Sequence, residues 1–322
     1  MNKLIVILFL CIVFADYGGG HAGSGFRYGS NARQFSLANA SVADSIGVFH
    51  AFSNPALFHY AQNPGFGFSY QSMSLDRSIG SIAFIDDLPP SAGFGVAVLW
   101  SGTDKIQGKN AMNEPTDTFS SQEIQTVISF GISLMQKISL GINTKIFFAD
   151  NYNNRSPQKA RGLGLDFGLI YKYNENLVLG YVLENFGTKY NWNSGVYPNY
   201  TEEFPYIMKL GLHYKTLKNI NIFMQEDIYK TQYSNINYRL KLGLEYHIKN
   251  NINIRFGLSQ KRGARGSNNI SKNNYKPVFG IGAPIKIMNR HFIQVDYALD
   301  PGNVGEGLSH LFCFSIKMQS QK

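Results

Sequence analysis

From about residue 64 onward the chain alternates apolar residues with polar residues or glycine, segment after segment, and this period of two constrains everything else about it. Successive side chains of a β-strand point to opposite faces, so sustained alternation means strands with one apolar and one polar face. The clearest run sets Ile138, Leu140, Ile142, Thr144, Ile146 and Phe148 against Ser139, Gly141, Asn143 and Lys145. Another sets Tyr238, Leu240, Leu242, Leu244, Tyr246 and Ile248 against Arg239, Lys241, Gly243, Glu245 and His247. Similar segments from Phe66 to Met318 bring the total to about fourteen antiparallel strands, the even number that bacterial membrane barrels use.

Alternation does not say which way the apolar face points, because a soluble β-sandwich alternates as well. Three features favour a membrane wall. The strand series is long and uninterrupted. Tyrosines stand at strand ends (Tyr171, Tyr206, Tyr214, Tyr238, Tyr246), as interfacial belts need. The third feature is an export signal: Met1-Asn2-Lys3 is followed by an apolar run from Leu4 to Ala15, too short to span a bilayer as a helix. Val13 and Ala15 have the small-residue spacing of a cleavage site, which places the cut after Ala15, with one nearer Ala22 as the alternative. Cys11 does not make a lipoprotein signal, because Leu10 before it is not small. With the signal removed, Cys313 is the remaining cysteine, so no intramolecular disulfide forms.

Composition agrees. Charged residues are 16 % and aromatics 14 %, with 32 Gly against 2 Trp, an unusual balance for a soluble enzyme of this length. The formal charge of +9 has one compact basic run, Lys261-Arg262-Gly263-Ala264-Arg265, read as a solvated loop and not as a nucleic-acid site. Connections are of two kinds. Gln136-Lys137 and Asn174 to Asn176 are tight turns, whereas Gly102–Gln122, Asn151–Gly162, Gly187–Phe204 and Gln260–Lys276 read as long polar loops. The expected fold is therefore all-β: an antiparallel outer-membrane β-barrel of about 14 strands with an N-terminal hatch segment. The expected division is 1–15 signal peptide, 16–63 hatch or plug with a short helix near Ala32 to Ala40, and 64–322 transmembrane barrel.

If the apolar face meets lipid, the polar face lines the lumen. It then carries Lys145, Asp166, Lys172, Glu184, Lys209, His213, Asp227, Arg239, Lys241, Glu245, His247, Arg255, Lys286, Asp296 and Lys317. Mixed signs on neighbouring strands favour pairing among themselves and with the plug over a substrate-binding array. Glycines recur on the same face at Gly131, Gly141, Gly168, Gly180, Gly211, Gly243, Gly257 and Gly280. Either they relieve crowding between strands or they leave room for something inside. No nucleophile elbow accompanies His213 or His247, and neither metal-ligand spacing nor a phosphate-binding loop is present, so neither an enzyme nor a cofactor is expected.

The segment from Ala32 to Asp44, with its Ala43-Asp44 pair, followed by Asn54-Pro55-Ala56, resembles the start of PorV/PorQ-family proteins, relatives of FadL-type long-chain fatty acid transporters. Glu184-Asn185-Phe186-Gly187 at a strand end, Asp296-Tyr297-Ala298 and the closing strand up to Met318 resemble the family as well. Ser36, Ala38 and Asn39 stand where members often carry Gly, Phe52-Ser53 replace a common aromatic pair, and the chain ends on Lys322 rather than on an aromatic. The resemblance implies a barrel in the bacterial outer membrane, set in outer-membrane lipid, with a hatch that includes Ala43, Asp44, Asn54, Pro55 and Ala56. For Asn54-Pro55-Ala56 the residues alone allow a plain turn as well. It also implies one of two jobs. The first is a type IX secretion role, handing over secreted cargo proteins together with secretion-system components. The second is a FadL-like channel for hydrophobic small molecules.

Overall fold

The computed structural model describes residues 21–61, 63–153, 158–193, 198–216, 219–231, 234–248, 251–262, 273–287, 291–302 and 307–318. The expected signal peptide and its cleavage after Ala15 fall outside them, as do the tail 319–322 and most of the basic run that begins at Lys261.

Fifteen strands follow in order: β1 (Gly65–Ser72), β2 (Arg77–Leu88), β3 (Ala92–Lys109), β4 (Pro115–Met135), β5 (Ile138–Asn153), β6 (Gln158–Lys172), β7 (Leu177–Asn193), β8 (Pro198–Glu203), β9 (Tyr206–Lys215), β10 (Ile220–Thr231), β11 (Ser234–His247), β12 (Asn253–Arg262), β13 (Asn273–Ile287), β14 (His291–Asp300) and β15 (Ser309–Lys317). Each pairs antiparallel with its neighbour, except that β7 pairs with β9 and carries the short β8 on its far end. The first strand closes on the last, with Phe68 opposite Phe314, which leaves a closed wall of fourteen strands with β8 as an extra. Closure removes the unpaired edges that lipid would not tolerate.

The alternation becomes two faces, as β1 illustrates. Gly65, Gly67, Ser69 and Gln71 point in, while Phe66, Phe68 and Tyr70 point out. Ile128 and Phe130, Phe256, Ile281, Phe312 and Phe314 extend the outward apolar belt around the barrel. In water such a belt would be exposed hydrophobic surface far beyond what soluble monomers carry. The tight turns fall where expected. Gln136 and Lys137 join β4 to β5, and Asn174 Oδ1 accepts from the amides of Asn176 (2.9 Å) and Leu177 (2.8 Å) between β6 and β7.

The expected long loops are shorter than their sequences suggest. Gly102–Gln122 is a continuation of β3 and β4, closed by a turn in which Asn110 Oδ1 accepts from Met112 and Glu114. Gly187–Phe204 likewise contains the end of β7 and all of β8. Beyond the membrane both faces of a strand meet water, so the apolar alternation lapses while the ladder continues. Glu184-Asn185-Phe186-Gly187 does not end a strand but lies inside β7, whose inner face stays buried through Tyr190. There Asn185 and Gly187 take φ of +62° and +65°, and the β6–β7 register shifts.

Residues 21–61 fill the interior. They contain one helix, α1 (Ala32–Ser36), and 3₁₀ turns at Gly25–Arg27, His50–Phe52 and Pro55–Tyr60. Asn31 caps α1 by accepting from the Gln34 amide at 3.0 Å. The helix stops because Ala38 and Asn39 take φ of +56° and +57°. A left-handed alanine costs about 1 kcal/mol, which packing of the buried Ala38 inside the barrel must offset.

Candidate functional site

The N-terminal segment rests on a ring of inward-facing glycines. Gly93 lies opposite Gly131, Gly131 opposite Gly141, and Gly141 opposite Gly168. The ring continues with Gly180 opposite Gly211 and Gly243 opposite Gly257. A Cβ added at Gly131, Gly141, Gly168, Gly180 or Gly257 would lie 2.1 to 2.6 Å from an atom of Asn54, Pro55, Val42 or Ala38. Of the two sequence readings, room for an internal segment is the one the structure shows. Gly93 and Gly95 extend the ring against Phe58 and were not singled out from sequence. Their alternating spacing in Ala92-Gly93-Phe94-Gly95 was the available signal.

Asn54 ties this seat together. Its Oδ1 accepts from the Ala56 amide at 3.0 Å, capping the turn at Pro55–Tyr60. Its Nδ2 donates to the Val42 carbonyl at 2.9 Å and reaches the wall carbonyls of Leu169 (3.3 Å) and Tyr181 (3.4 Å). Pro55 at the first position of the turn gives up no amide that would need a partner. Ala43 and Ala56 are buried and pack as small spacers.

Asp44 is fully buried and pairs with Arg33 from the same segment. Arg33 also donates to Glu245 of β11 at 3.1 Å, and Glu245 accepts from Arg255 of β12 at 2.6 Å. Arg255 continues to Asp296 of β14 at 2.7 Å. Two cations and three carboxylates thus join segment and wall in one buried network. Burial works against the Arg33 charge, but Asp44 and Glu245 outweigh it and raise its pKa above the ordinary arginine value. Sequence reading named Asp44, Glu245, Arg255 and Asp296 but not Arg33, whose signal was its standing as the one cation between Ala32 and Asp44.

The other polar-face residues fall into separate groups. Lys145 pairs with Asp166 (2.7 Å), Lys241 with Asp227 (2.5 Å) and Lys209 with Glu184. Arg239 stands over the Tyr229 ring at 5.3 Å, and His213 stacks on Phe223 at 4.4 Å. His247 touches Asn221 at 2.8 Å near the rim. Lys172 pairs at the rim with Glu175, and Lys286 and Lys317 are exposed there. Pairing with one another and with the segment accounts for most of the predicted set. Among the described residues no cluster of His, Cys, Asp or Glu is placed to hold a metal.

Between the segment and the wall lies a small cleft that opens partly to solvent. Arg27, Lys145, Glu184, Lys209, Asp227 and Lys241 line it, together with Phe26, Phe147 and Phe204. Arg27 is a further residue missed from sequence. It donates to the Ala22 carbonyl at 2.8 Å and the His21 carbonyl at 3.4 Å.

No family model and no curated protein matches the chain. Solved structures do. A monoaromatic hydrocarbon channel, the TodX deltaS2S3 mutant, superposes with TM-score 0.62 at 14 % identity, covering 90 % of this chain and 99 % of that one. A Pseudomonas aeruginosa FadL homologue gives TM-score 0.62 at 11 % identity, covering 89 % and 97 %. The CymD monoaromatic hydrocarbon channel gives 0.60 at 11 % identity, covering 92 % and 99 %. The fold is that of FadL-like barrels.

Proposed function

We propose that this chain is a bacterial outer-membrane conduit for small hydrophobic or amphipathic molecules, with residues 21–61 acting as the hatch that closes its lumen. The observation that carries the reading is the seat itself. A segment held in the lumen by glycine contacts, hydrogen bonds and ion pairs, with no disulfide among the described residues, is a closure that a rearrangement can open. The outward apolar belt supports the membrane setting, since large apolar side chains such as Phe66, Phe68, Ile128 and Phe314 stand exposed on the face away from the lumen. The channels among the fold neighbours support transport rather than catalysis. Kinship with PorV/PorQ proteins, and handover of secreted cargo in type IX secretion, gain no support from those neighbours.

The test uses vesicles whose outer leaflet is lipopolysaccharide, reconstituted with the full mature chain. Uptake of toluene and of benzoate is followed against barrel-free vesicles. Faster entry of at least one of them is the expected result, and unchanged entry of both sinks the conduit reading. Co-purification of large secretion partners in place of transport would return the handover reading to first place.

A further inference from the structure

The lipid-facing side of the wall carries a group that neither the hatch nor the lumen uses. Glu226 of β10 stands opposite Leu210 of β9 and Leu240 of β11. Its chain neighbour Asp227 lines the lumen, so Glu226 points the other way, into the apolar belt. Ile222 is opposite Tyr214 and Lys230 is opposite Tyr206, which sets Glu226 four residues from each tyrosine row, midway across the belt.

A carboxyl group is costly there, because hydrocarbon offers nothing to its hydrogen-bonding atoms. Glu226 nevertheless makes no hydrogen bond or ion pair with a described residue. It is 7 % exposed, against 37 % for Leu210 and 42 % for Met208, and so forms the floor of a dent in an apolar surface. Two donors stand on the same face, nearer the long-loop rim. Lys230 is exposed on β10, roughly 13 Å from Glu226 at the rise of an extended strand. Tyr238 of β11 is opposite Ile228, one pair beyond Glu226 and Leu240. Neither side chain has a hydrogen-bond or ion-pair partner among the described residues.

We propose that the β9–β11 face docks a second copy of this chain within the membrane, Glu226 of each copy receiving Tyr238 and Lys230 of the other. A twofold axis along the membrane normal makes an isologous contact, in which a donor and an acceptor on one patch satisfy each other twice. A different protein would have to carry a matching donor at this depth, whereas a second copy supplies it by symmetry. Carboxylate and ammonium meet out of water, where their attraction is strong, and the pair adds no net charge to the hydrocarbon layer. Met208 and Met224 flank the dent with side chains that adapt to an opposing surface. The inference needs the membrane wall and stands apart from the conduit reading.

The test is sedimentation equilibrium of the full mature chain in density-matched detergent, and two chains per particle are expected. Glu226→Leu places on the wall the same residue that stands on both sides of it. It should weaken association about tenfold or more, the worth of one or two hydrogen bonds between membrane segments. Glu226→Lys and Lys230→Glu should each sediment as single chains, and an equimolar mixture of the two should recover pairs, because each then supplies the charge the other lacks. Heat-modifiable migration on a gel checks that the wall of every variant has formed. A wild-type particle of one chain overturns the proposal. So does a pair that Glu226→Leu leaves as tight as before, or a mixture of folded charge-swapped variants that stays single.

Discussion

Arg33 reaches Glu245 at 3.1 Å across 212 residues of sequence, and this contact makes the hatch part of the charge network of the wall. Removing Arg33 alone leaves the fully buried Asp44 without its cation. Breaking a buried pair this way costs about 3–5 kcal/mol, whereas replacing both members by apolar groups of similar size is close to neutral. Arg33→Met should therefore abolish hydrogen-exchange protection across 32–61, and adding Asp44→Leu should restore much of it. If the double variant is as exposed as the single one, the pair is not what holds the hatch.

The glycine ring gives a second handle, one that leaves charge untouched. A Cβ at Gly141 would stand 2.3 Å from the Pro55 carbonyl carbon, and the backbone there has no slack to yield. Gly141→Val should displace the turn at Pro55–Tyr60 at a cost of about 1–3 kcal/mol while the outer wall still assembles. Heat-modifiable migration on a gel reports the wall, and single-channel conductance reports the hatch. Normal migration with raised conductance is expected, and unchanged conductance would mean that the ring does not seat the closure.

Asn54 separates capping from wall contact. Asn54→Ala loses the cap, about 1 kcal/mol. It also leaves the Val42 carbonyl unpaired, about 1–3 kcal/mol more. Asn54→Asp keeps an acceptor for the Ala56 amide but sets a buried carboxylate against three carbonyls, so it should be worse than alanine. Protease accessibility of the hatch is expected to rise in the order Asn, Ala, Asp. An aspartate variant as closed as the wild type would show that only the cap matters.

These residues also show what was legible beforehand. The wall could be read because alternation is local: Ile138 to Phe148 states its two faces within eleven positions. The strand extensions past Gly102 could not, since water on both sides erases the pattern while the backbone keeps pairing. Gly141 and Gly168 were visible as glycines on the polar face, but that they seat Pro55 is a contact across the lumen with no local mark. Arg33 was hidden for the same reason, because its partner lies on β11. The cleft was less legible still. Its cations arrive from four separate elements and only closure of the barrel brings them together.

His50 carries the last prediction. Its side chain is buried in the hatch, edge-on to Phe58 at 5.9 Å between ring centroids. Burial, with smaller contributions from Lys317, Arg33 and His59, pushes its pKa down to about 3 from the usual 6.5. A group whose docked pKa is depressed takes up a proton more readily when the hatch is undocked. Docking is therefore undisturbed above about pH 6.5 and weakens progressively as pH falls from there toward 3. Between pH 7 and pH 5 the loss is about 2 kcal/mol, some thirtyfold in the docking equilibrium. His59, also lowered by burial, acts in the same direction. Hydrogen exchange of 32–61 should accelerate accordingly on acidification. His50→Gln should flatten most of the slope. A variant with the wild-type slope would place the proton uptake elsewhere, with His59→Gln as the next substitution to measure.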